Sequence, residues 1–167
     1  MKKYLIIALA MTTLISCNSN ADMSLFKENK EIAKKYLASY ESPTDYENFV
    51  SMTDEKIEHQ SPMYGSGMVG YKKVLDQGNF YMSNFSDVSF NDARWLPGVD
   101  EETLKADGSV RVYGTWKGVS NASGKSFSID SYHYFVIKEG KIVQSGDFMD
   151  ATGMVMAVEP DSQEEIE

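Results

Sequence analysis

Cysteine is almost absent from this chain of 167 residues, which contains only Cys17. One thiol cannot form a disulfide within the chain, so the fold must depend on its core alone. Long hydrophobic runs are also missing. The apolar run at residues 4–14 is too short for a comfortable membrane span, which needs about 20 apolar residues.

Positive charge is scarce as well, with 16 Lys and Arg against 25 Asp and Glu and a formal net charge of −9. Residues 1–16 contain two lysines and no acid, so the remainder carries −11. Phosphate groups would repel such a chain, which argues against nucleic-acid partners and against docking on anionic lipid. The length without this segment suits one domain with its own core.

The chain begins with Lys2 and Lys3, continues with the short apolar run and reaches small residues before Cys17. This order is typical of a secretory signal peptide. Residues 14–17 (LISC) resemble the bacterial lipobox, which implies that Cys17 is lipidated and becomes the first mature residue. Two or more acyl chains anchor a protein stably. We therefore expect a signal peptide at 1–16, a lipid-anchored tether at 17–23 and a location in the bacterial cell envelope, facing the periplasm or the exterior. The alternative is an ordinary signal peptide with an incidental cysteine.

Three segments have the spacing of amphipathic helices. Ser24 is a candidate cap for the first, which ends at Ser42-Pro43. Thr44 to Glu47 resembles a capping box for the second. The third follows the glycines at 65, 67 and 70. The apolar positions of the first and third helices are Ile32, Ala33, Tyr36, Leu37 and Tyr40, and Tyr71, Val74, Leu75, Gly78, Met82 and Phe85.

The pattern then changes to β-branched and aromatic strands at 88–96, 109–119, 126–137 and 141–148, after an earlier short strand at 53–60. Turn signals at 97–98, 123–124 and 139–140 favour antiparallel hairpins. Residues 150–158 are predicted as a last turn or strand extension, and 159–167 as an acidic flexible tail. Helices followed by long strands predict an α+β domain at 24–158, with three N-terminal helices packed on a strongly curved, mainly antiparallel sheet.

Three short matches support a family resemblance. Residues 59–62 (HQSP) precede Gly67 and the third helix, residues 140–143 (GKIV) form a hairpin signal, and Asp150 follows eight residues after Ile142. Together these resemble the SnoaL-like polyketide cyclase branch of the nuclear-transport-factor-2-like superfamily. The resemblance implies a cone-shaped, cystatin-like barrel with a pocket on the concave side of the sheet.

Two departures from the family pattern affect the site. Residues 144–146 (QSG) stand where SnoaL-like sequences often have Glu-His-Trp, and His133 stands where many relatives have a pocket aspartate. We expect that any acid–base site in this chain has been rebuilt.

The resemblance places both histidines, His59 and His133, in the pocket. Histidine exchanges protons near neutral pH. Alternation puts His133 on one face of its strand with Phe135, but both faces are partly apolar, so the resemblance alone chooses the histidine face. Asp150 has the family match and is the favoured acid, ahead of Asp147 and Asp130, although it could equally cap the final turn. Each histidine could instead be a structural residue.

Tyr64, Trp95, Trp116 and Tyr132 are candidate ligand-binding residues because aromatic rings stack on flat molecules and donate hydrogen bonds. The spacing of the histidines does not demand a metal, and no cofactor is expected. Residues 65–70 spell G-x-G-x-x-G but lack the preceding parallel strand, so they are interpreted as a turn.

Two hypotheses follow. The altered family markers favour a non-catalytic module that binds a small, largely apolar molecule. The alternative is a cofactor-independent acid–base enzyme (isomerase, dehydratase, cyclase or hydrolase) in which His59, His133 and Asp150 move protons. Convergence of at least two of these side chains on one enclosed space would favour the enzyme. Apolar residues on both strand faces make a homodimer through the convex face a further expectation.

Overall fold

The computed structural model describes residues 23–161. The predicted signal peptide, Cys17, most of the tether and residues 162–167 lie outside them. Among residues 23–161, no helix has the length and apolar character that a membrane span requires. Glu159 and Asp161, at the start of the predicted tail, contact Lys125, whose Nζ lies 2.9 Å from the Glu159 carbonyl oxygen and 2.6 Å from Asp161 Oδ1.

Three helices precede the long strands, as predicted. The helices are α1 (Ser24–Ala38), α2 (Tyr46–Met52) and α3 (Tyr71–Asn84). The predicted caps are each displaced by one residue. Met23 rather than Ser24 occupies the N-cap of α1, and Asp45 rather than Thr44 caps α2, where its carboxylate accepts from Asn48 N–H at 2.9 Å. A fourth short helix, α4 (Ala151–Ala157), takes the place of the last turn.

The strands are β1 (Thr53–Gln60), β2 (Met68–Val69), β3 (Phe85–Val99), β4 (Ala106–Ser120), β5 (Ser126–Lys138) and β6 (Lys141–Phe148). They form one open sheet in the order β2-β1-β6-β5-β4-β3. Only the β1–β6 pair is parallel, and the other pairs are antiparallel. The α+β prediction with a mainly antiparallel, curved sheet is therefore confirmed, although the sheet does not close.

Irregularities in β3 account for much of the curvature. Its pairing with β4 shifts register three times, and Asp87 and Asp92 adopt positive φ angles of 52° and 55° near two of these shifts. Bulges bend a strand and increase its twist. The predicted turn at Pro97-Gly98 is wrong, because β3 continues through it to Val99. Proline is tolerated there because β3 is an edge strand.

The core lies between the helices and the concave face of the sheet. The largest fully buried side chains come from α2 and from β1, β4, β5 and β6, and include Phe49, Ile57, Val110, Val112, Phe135 and Ile142. Gly78 in α3 allows close approach to α2, because a Cβ at this position would lie 2.5 Å from the Phe49 ring. His133 and Phe135 face inward on β5, so the histidine face is the concave one, as the resemblance implied.

Candidate functional site

A mostly apolar cavity lies between the helices and the concave face of the sheet. The space open to the centres of water molecules has a volume of about 70 Å³. One water requires roughly 10–15 Å³ by this measure, so the space holds several waters or a small ligand. The polar residues that line it are Tyr36, Tyr40, His59, Gln77, Tyr81, His133, Ser145 and Asp147.

Strand register brings the central polar residues together. His133 on β5 is directly opposite Asp147 on β6, and His59 on β1 is directly opposite Ser145. Because Ser145 and Asp147 are two residues apart on one strand, both point to the same face. The central strand β6 thus brings both histidines to one carboxylate.

His133 is buried and bonded at both ring nitrogens. Its Nδ1 lies 2.7 Å from Asp147 Oδ1, and its Nε2 accepts the indole N–H of Trp116 at 3.0 Å. Indole is a donor only, so Nε2 must be unprotonated and the ring proton lies on Nδ1, directed at Asp147. Ser131 Oγ also approaches Nε2, at 2.9 Å, and donates to the Gly114 carbonyl.

His59 contacts the same carboxylate from the other side. Its Nδ1 lies 2.9 Å from Ser145 Oγ. Its Nε2 lies 3.3 Å from the amide nitrogen of Gln77 and 3.6 Å from Asp147 Oδ2. Asp147 therefore stands between two imidazoles, one hydrogen-bonded to it and one slightly beyond hydrogen-bond distance.

Asp147 is the most accessible member of this group, with 18% of its side chain exposed against 5% for His59 and 3% for His133. Burial by itself raises the pKa of Asp147. The two imidazoles and the hydrogen bond from His133 outweigh this effect, so its pKa lies below the ordinary value. The carboxylate is consequently ionised at neutral pH and available as a proton acceptor.

Three tyrosine side chains, those of Tyr36, Tyr40 and Tyr81, line the cavity. Burial, together with the negative charge of Asp147, raises the pKa values of Tyr36, Tyr40 and Tyr81 above the ordinary value. Their hydroxyls therefore keep their protons across the physiological range. A protonated hydroxyl can donate a hydrogen bond to an oxygen atom that carries developing negative charge, although that of Tyr81 already donates to Met63 Sδ at 3.7 Å.

The structure brings together only part of the predicted site. His59, His133 and Trp116 line the cavity. Asp150 does not, which corrects its predicted placement. It is exposed and caps α4, accepting from Gly153 N–H at 2.9 Å. Asp147, a secondary acid candidate in the sequence, is the carboxylate that faces the histidines.

The other three predicted ligand-binding residues also lie away from the cavity. Tyr64 is 94% exposed on the loop before α3. Tyr132 lies on the convex face, where its ring centroid is 4.9 Å from that of Tyr113. Trp95 packs against the edge of the core without lining the cavity.

The sequence pattern does not mark every cavity residue, and those it leaves unmarked are Gln77, Ser145 and the three tyrosines. Tyr36 and Tyr40 fit the apolar spacing of a helix, and Gln77 belongs to no motif. Ser145 had one indirect signal, since it lies within the 144–146 departure from the family pattern.

Within residues 23–161, no cluster of three or more His, Cys, Asp or Glu side chains has an arrangement suited to a metal ion. In the candidate site, His133 already uses Nδ1 toward Asp147 and Nε2 toward Trp116. It therefore has no free lone pair for a cation.

No known family profile and no curated protein matches the sequence, but many solved structures match the fold. A candidate isomerase from Bacillus subtilis has a TM-score of 0.67 at 18% identity, over 81% of this chain and 95% of that protein. A candidate polyketide cyclase from Xanthomonas campestris gives 0.63 at 12%, over 81% and 99%. A hypothetical protein with a ketosteroid isomerase-like fold from Catenulispora acidiphila gives 0.60 at 11%, over 77% and 92%. The chain therefore has the nuclear-transport-factor-2-like fold that its sequence resemblance predicted.

Proposed function

We propose that the protein is a cofactor-independent enzyme that moves a proton on a small, largely apolar carbonyl compound. The observation that carries this proposal is the convergence of His59 and His133 on Asp147 within one apolar cavity. Two ionisable rings and one carboxylate in a mostly apolar cavity are the groups that general acid–base catalysis needs. The sequence favoured a binding module, and this geometry favours the alternative.

The chemistry follows from the positions of these groups. A C–H bond next to the carbonyl breaks, its proton passes to the His59–Asp147 pair, and its electron pair moves to the carbonyl oxygen. A protonated hydroxyl, such as that of Tyr40, donates to this oxyanion. Return of the same proton to another atom of the substrate gives an isomer and restores the site.

The cavity limits the substrate. Its lining is dominated by apolar and aromatic side chains, including Met149 and Met154, whose flexibility lets the space adapt to different shapes. One structural neighbour is named a candidate isomerase and another a candidate polyketide cyclase. The first name fits a proton transfer within one substrate, and neither name identifies the substrate.

Hydrogen–deuterium exchange tests this function whatever product the enzyme forms, because it follows only the first proton transfer. The full chain is incubated in D₂O with a panel of small apolar ketones, and NMR follows loss of the α-proton signal. We expect exchange above the buffer rate for at least one ketone, and none with Asp147→Asn. Exchange that is equal in the two proteins would contradict the proposal.

A binding module is the second candidate, because every ring nitrogen of both histidines already has a partner within the protein. Saturable ketone binding by both the wild-type chain and Asp147→Asn, with no exchange in either, would favour this function over the enzyme.

We also propose that the domain is tethered to a bacterial envelope membrane through lipidated Cys17, a residue outside those described. The LISC run at 14–17 supports this location. Replacing Cys17 by Ser should move the protein from the membrane fraction to the soluble fraction and abolish incorporation of labelled palmitate. Unchanged membrane association of Cys17→Ser would contradict the tether.

A further inference from the structure

Gln77, on α3, separates the cavity from an adjoining outer cleft. It lines both spaces, and the cleft has a volume of about 250 Å³, with Ser61, Met63 and Lys73 among its other lining residues. The side chain of Gln77 thus stands at the boundary between the candidate site and the exterior, in contact with His59.

The orientation of the Gln77 amide is set by Ser61. The Ser61 hydroxyl donates to Gln77 Oε1 at 3.0 Å and itself accepts from the backbone N–H of Met63 at 3.3 Å. Because the carbonyl end of the amide is engaged in this way, its NH₂ end faces His59 Nε2, at 3.3 Å.

This orientation determines which nitrogen of His59 carries the proton. An amide NH₂ group can only donate, so His59 Nε2 must accept. The ring proton is then on Nδ1, where Ser145 Oγ accepts it at 2.9 Å. Gln77 acts on His59 as Trp116 acts on His133, since each supplies a donor to Nε2 and directs the proton to Nδ1.

The consequence is an unusual pair of facing acceptors. Asp147 Oδ2 lies 3.6 Å from His59 Nε2. Neither atom has a proton to offer the other, because the carboxylate is ionised and the lone pair of Nε2 accepts from Gln77. A proton on Nε2, together with a shortening of the 3.6 Å separation, would turn this contact into a hydrogen bond.

We propose that this gap between His59 Nε2 and Asp147 Oδ2 is the place that receives the substrate proton, and that Gln77 is the positioning residue that keeps it empty. The catalytic half of this inference rests on the proposed function, whereas the role of Gln77 toward His59 does not. When the proton arrives, Nε2 becomes a donor to Asp147 and the Gln77 amide must turn away. Its return, guided by Ser61, prepares the site for the next proton.

Nitrogen NMR of the full chain in detergent tests the role of Gln77 directly. With ¹⁵N-histidine, two rings give signals, and His133→Gln assigns them. We expect the wild-type His59 to show a protonated Nδ1 and an unprotonated Nε2. Replacing Gln77 by Glu substitutes an acceptor for the donor, so Nε2 should shift to the position of a protonated nitrogen.

Gln144→Glu is the matched control, because it makes the same change on the convex side of β6, next to Ser145. It should leave both rings unchanged. If Gln77→Glu does not fold, Gln77→Met and Ser61→Ala replace it, and each should produce a mixture of the two His59 tautomers. A wild-type His59 protonated on Nε2, or a ring unaffected by these three changes, would overturn the inference.

The exchange assay tests the catalytic half. Ser61→Ala should slow deuterium exchange by about tenfold, the value of one lost hydrogen bond, while Gln144→Glu exchanges at the wild-type rate. If the NMR results are as expected but Ser61→Ala exchanges deuterium at the wild-type rate, the gap is not the place that receives the substrate proton. The proposed function then remains intact. The expected NMR result with no exchange in any protein would refute the proposed function.

Discussion

The two faces of β5 have similar compositions but different environments. The concave face carries Ser131, His133 and Phe135, and the convex face carries Tyr132 and Tyr134. Both faces are rich in rings, and alternation alone cannot tell which one carries chemistry. The two faces differ in what packs against them, because the helices lie over the concave face.

On the concave face, polar side chains are hydrogen-bonded to one another in a mostly apolar cavity, where charges interact more strongly than in water. On the convex face, rings contact rings. The centroids of Tyr132 and Phe148 are 5.7 Å apart, and Arg111 stacks 5.4 Å from the Tyr134 centroid. Similar residue types thus form a reactive group on one side and a packed surface on the other, and each prediction below changes one side against a control.

The largest effect is expected from Asp147→Asn, with Asp130→Asn as the convex-face control. The first change removes the acceptor shared by both histidines, so deuterium exchange should fall by about 10²–10⁴-fold. Among residues 23–161, Asp130 accepts a hydrogen bond only from Thr115 Oγ1, at 2.7 Å on the exposed side, so its replacement should leave exchange unchanged. An equal loss from both replacements would show that the two faces do not differ in this respect.

Trp116→Phe should have the next largest effect, a decrease in the free energy of unfolding measured by urea denaturation. It removes the donor to His133 Nε2, and an unpaired buried polar atom costs about 1–3 kcal/mol. Trp95→Phe removes the same group from a residue that only packs at the edge of the core, and it should cost less. A greater loss of stability from Trp95→Phe would contradict the importance of the indole–imidazole bond.

The pH dependence of stability should also report the environment of Asp147. Because the pKa of Asp147 is lower in the folded chain than its ordinary value of 3.8, its ionised form stabilises the fold. This contribution is complete above pH 3.8 and is lost as the pH falls through the folded pKa. The stability difference between wild type and Asp147→Asn should therefore narrow below that pH. A difference that stays constant into strong acid would contradict the lowered pKa.

Most of the fold was predictable because it depends on local pattern. The apolar spacing of α1 and α3 and the alternation along β4 and β5 follow directly from residue type, and β1 was predicted with its observed bounds. The strand through Pro97-Gly98 was not predictable, because a proline and a glycine signal a turn unless the strand lies at an edge. That position depends on the whole sheet.

The sequence favours Asp150 as the acid, whereas the structure places Asp147 in the cavity, for a related reason. The β5–β6 hairpin begins with Lys138 opposite Lys141, a register that would place Gly146 opposite His133. A one-residue shift after Ile137 places Asp147 there instead and turns Phe148 outward. A bulge of this kind reverses which residues face the core, and nothing in residues 141–148 indicates it. Asp150 had a family match, but its carboxylate serves the start of α4.

The smallest effect on the site is expected from the convex face, where the sequence predicts a homodimer with a second copy of this chain. Phe148 is 51% exposed beside Tyr132 and Tyr134, so replacing it by Arg should change the free energy of unfolding of the monomer by no more than about 0.5 kcal/mol. Sedimentation velocity should show a dimer for the wild type and a monomer for Phe148→Arg, with equal exchange rates per chain. A monomeric wild type would contradict the predicted dimer, whereas a loss of exchange in Phe148→Arg would show that the convex face also supports the reactive one.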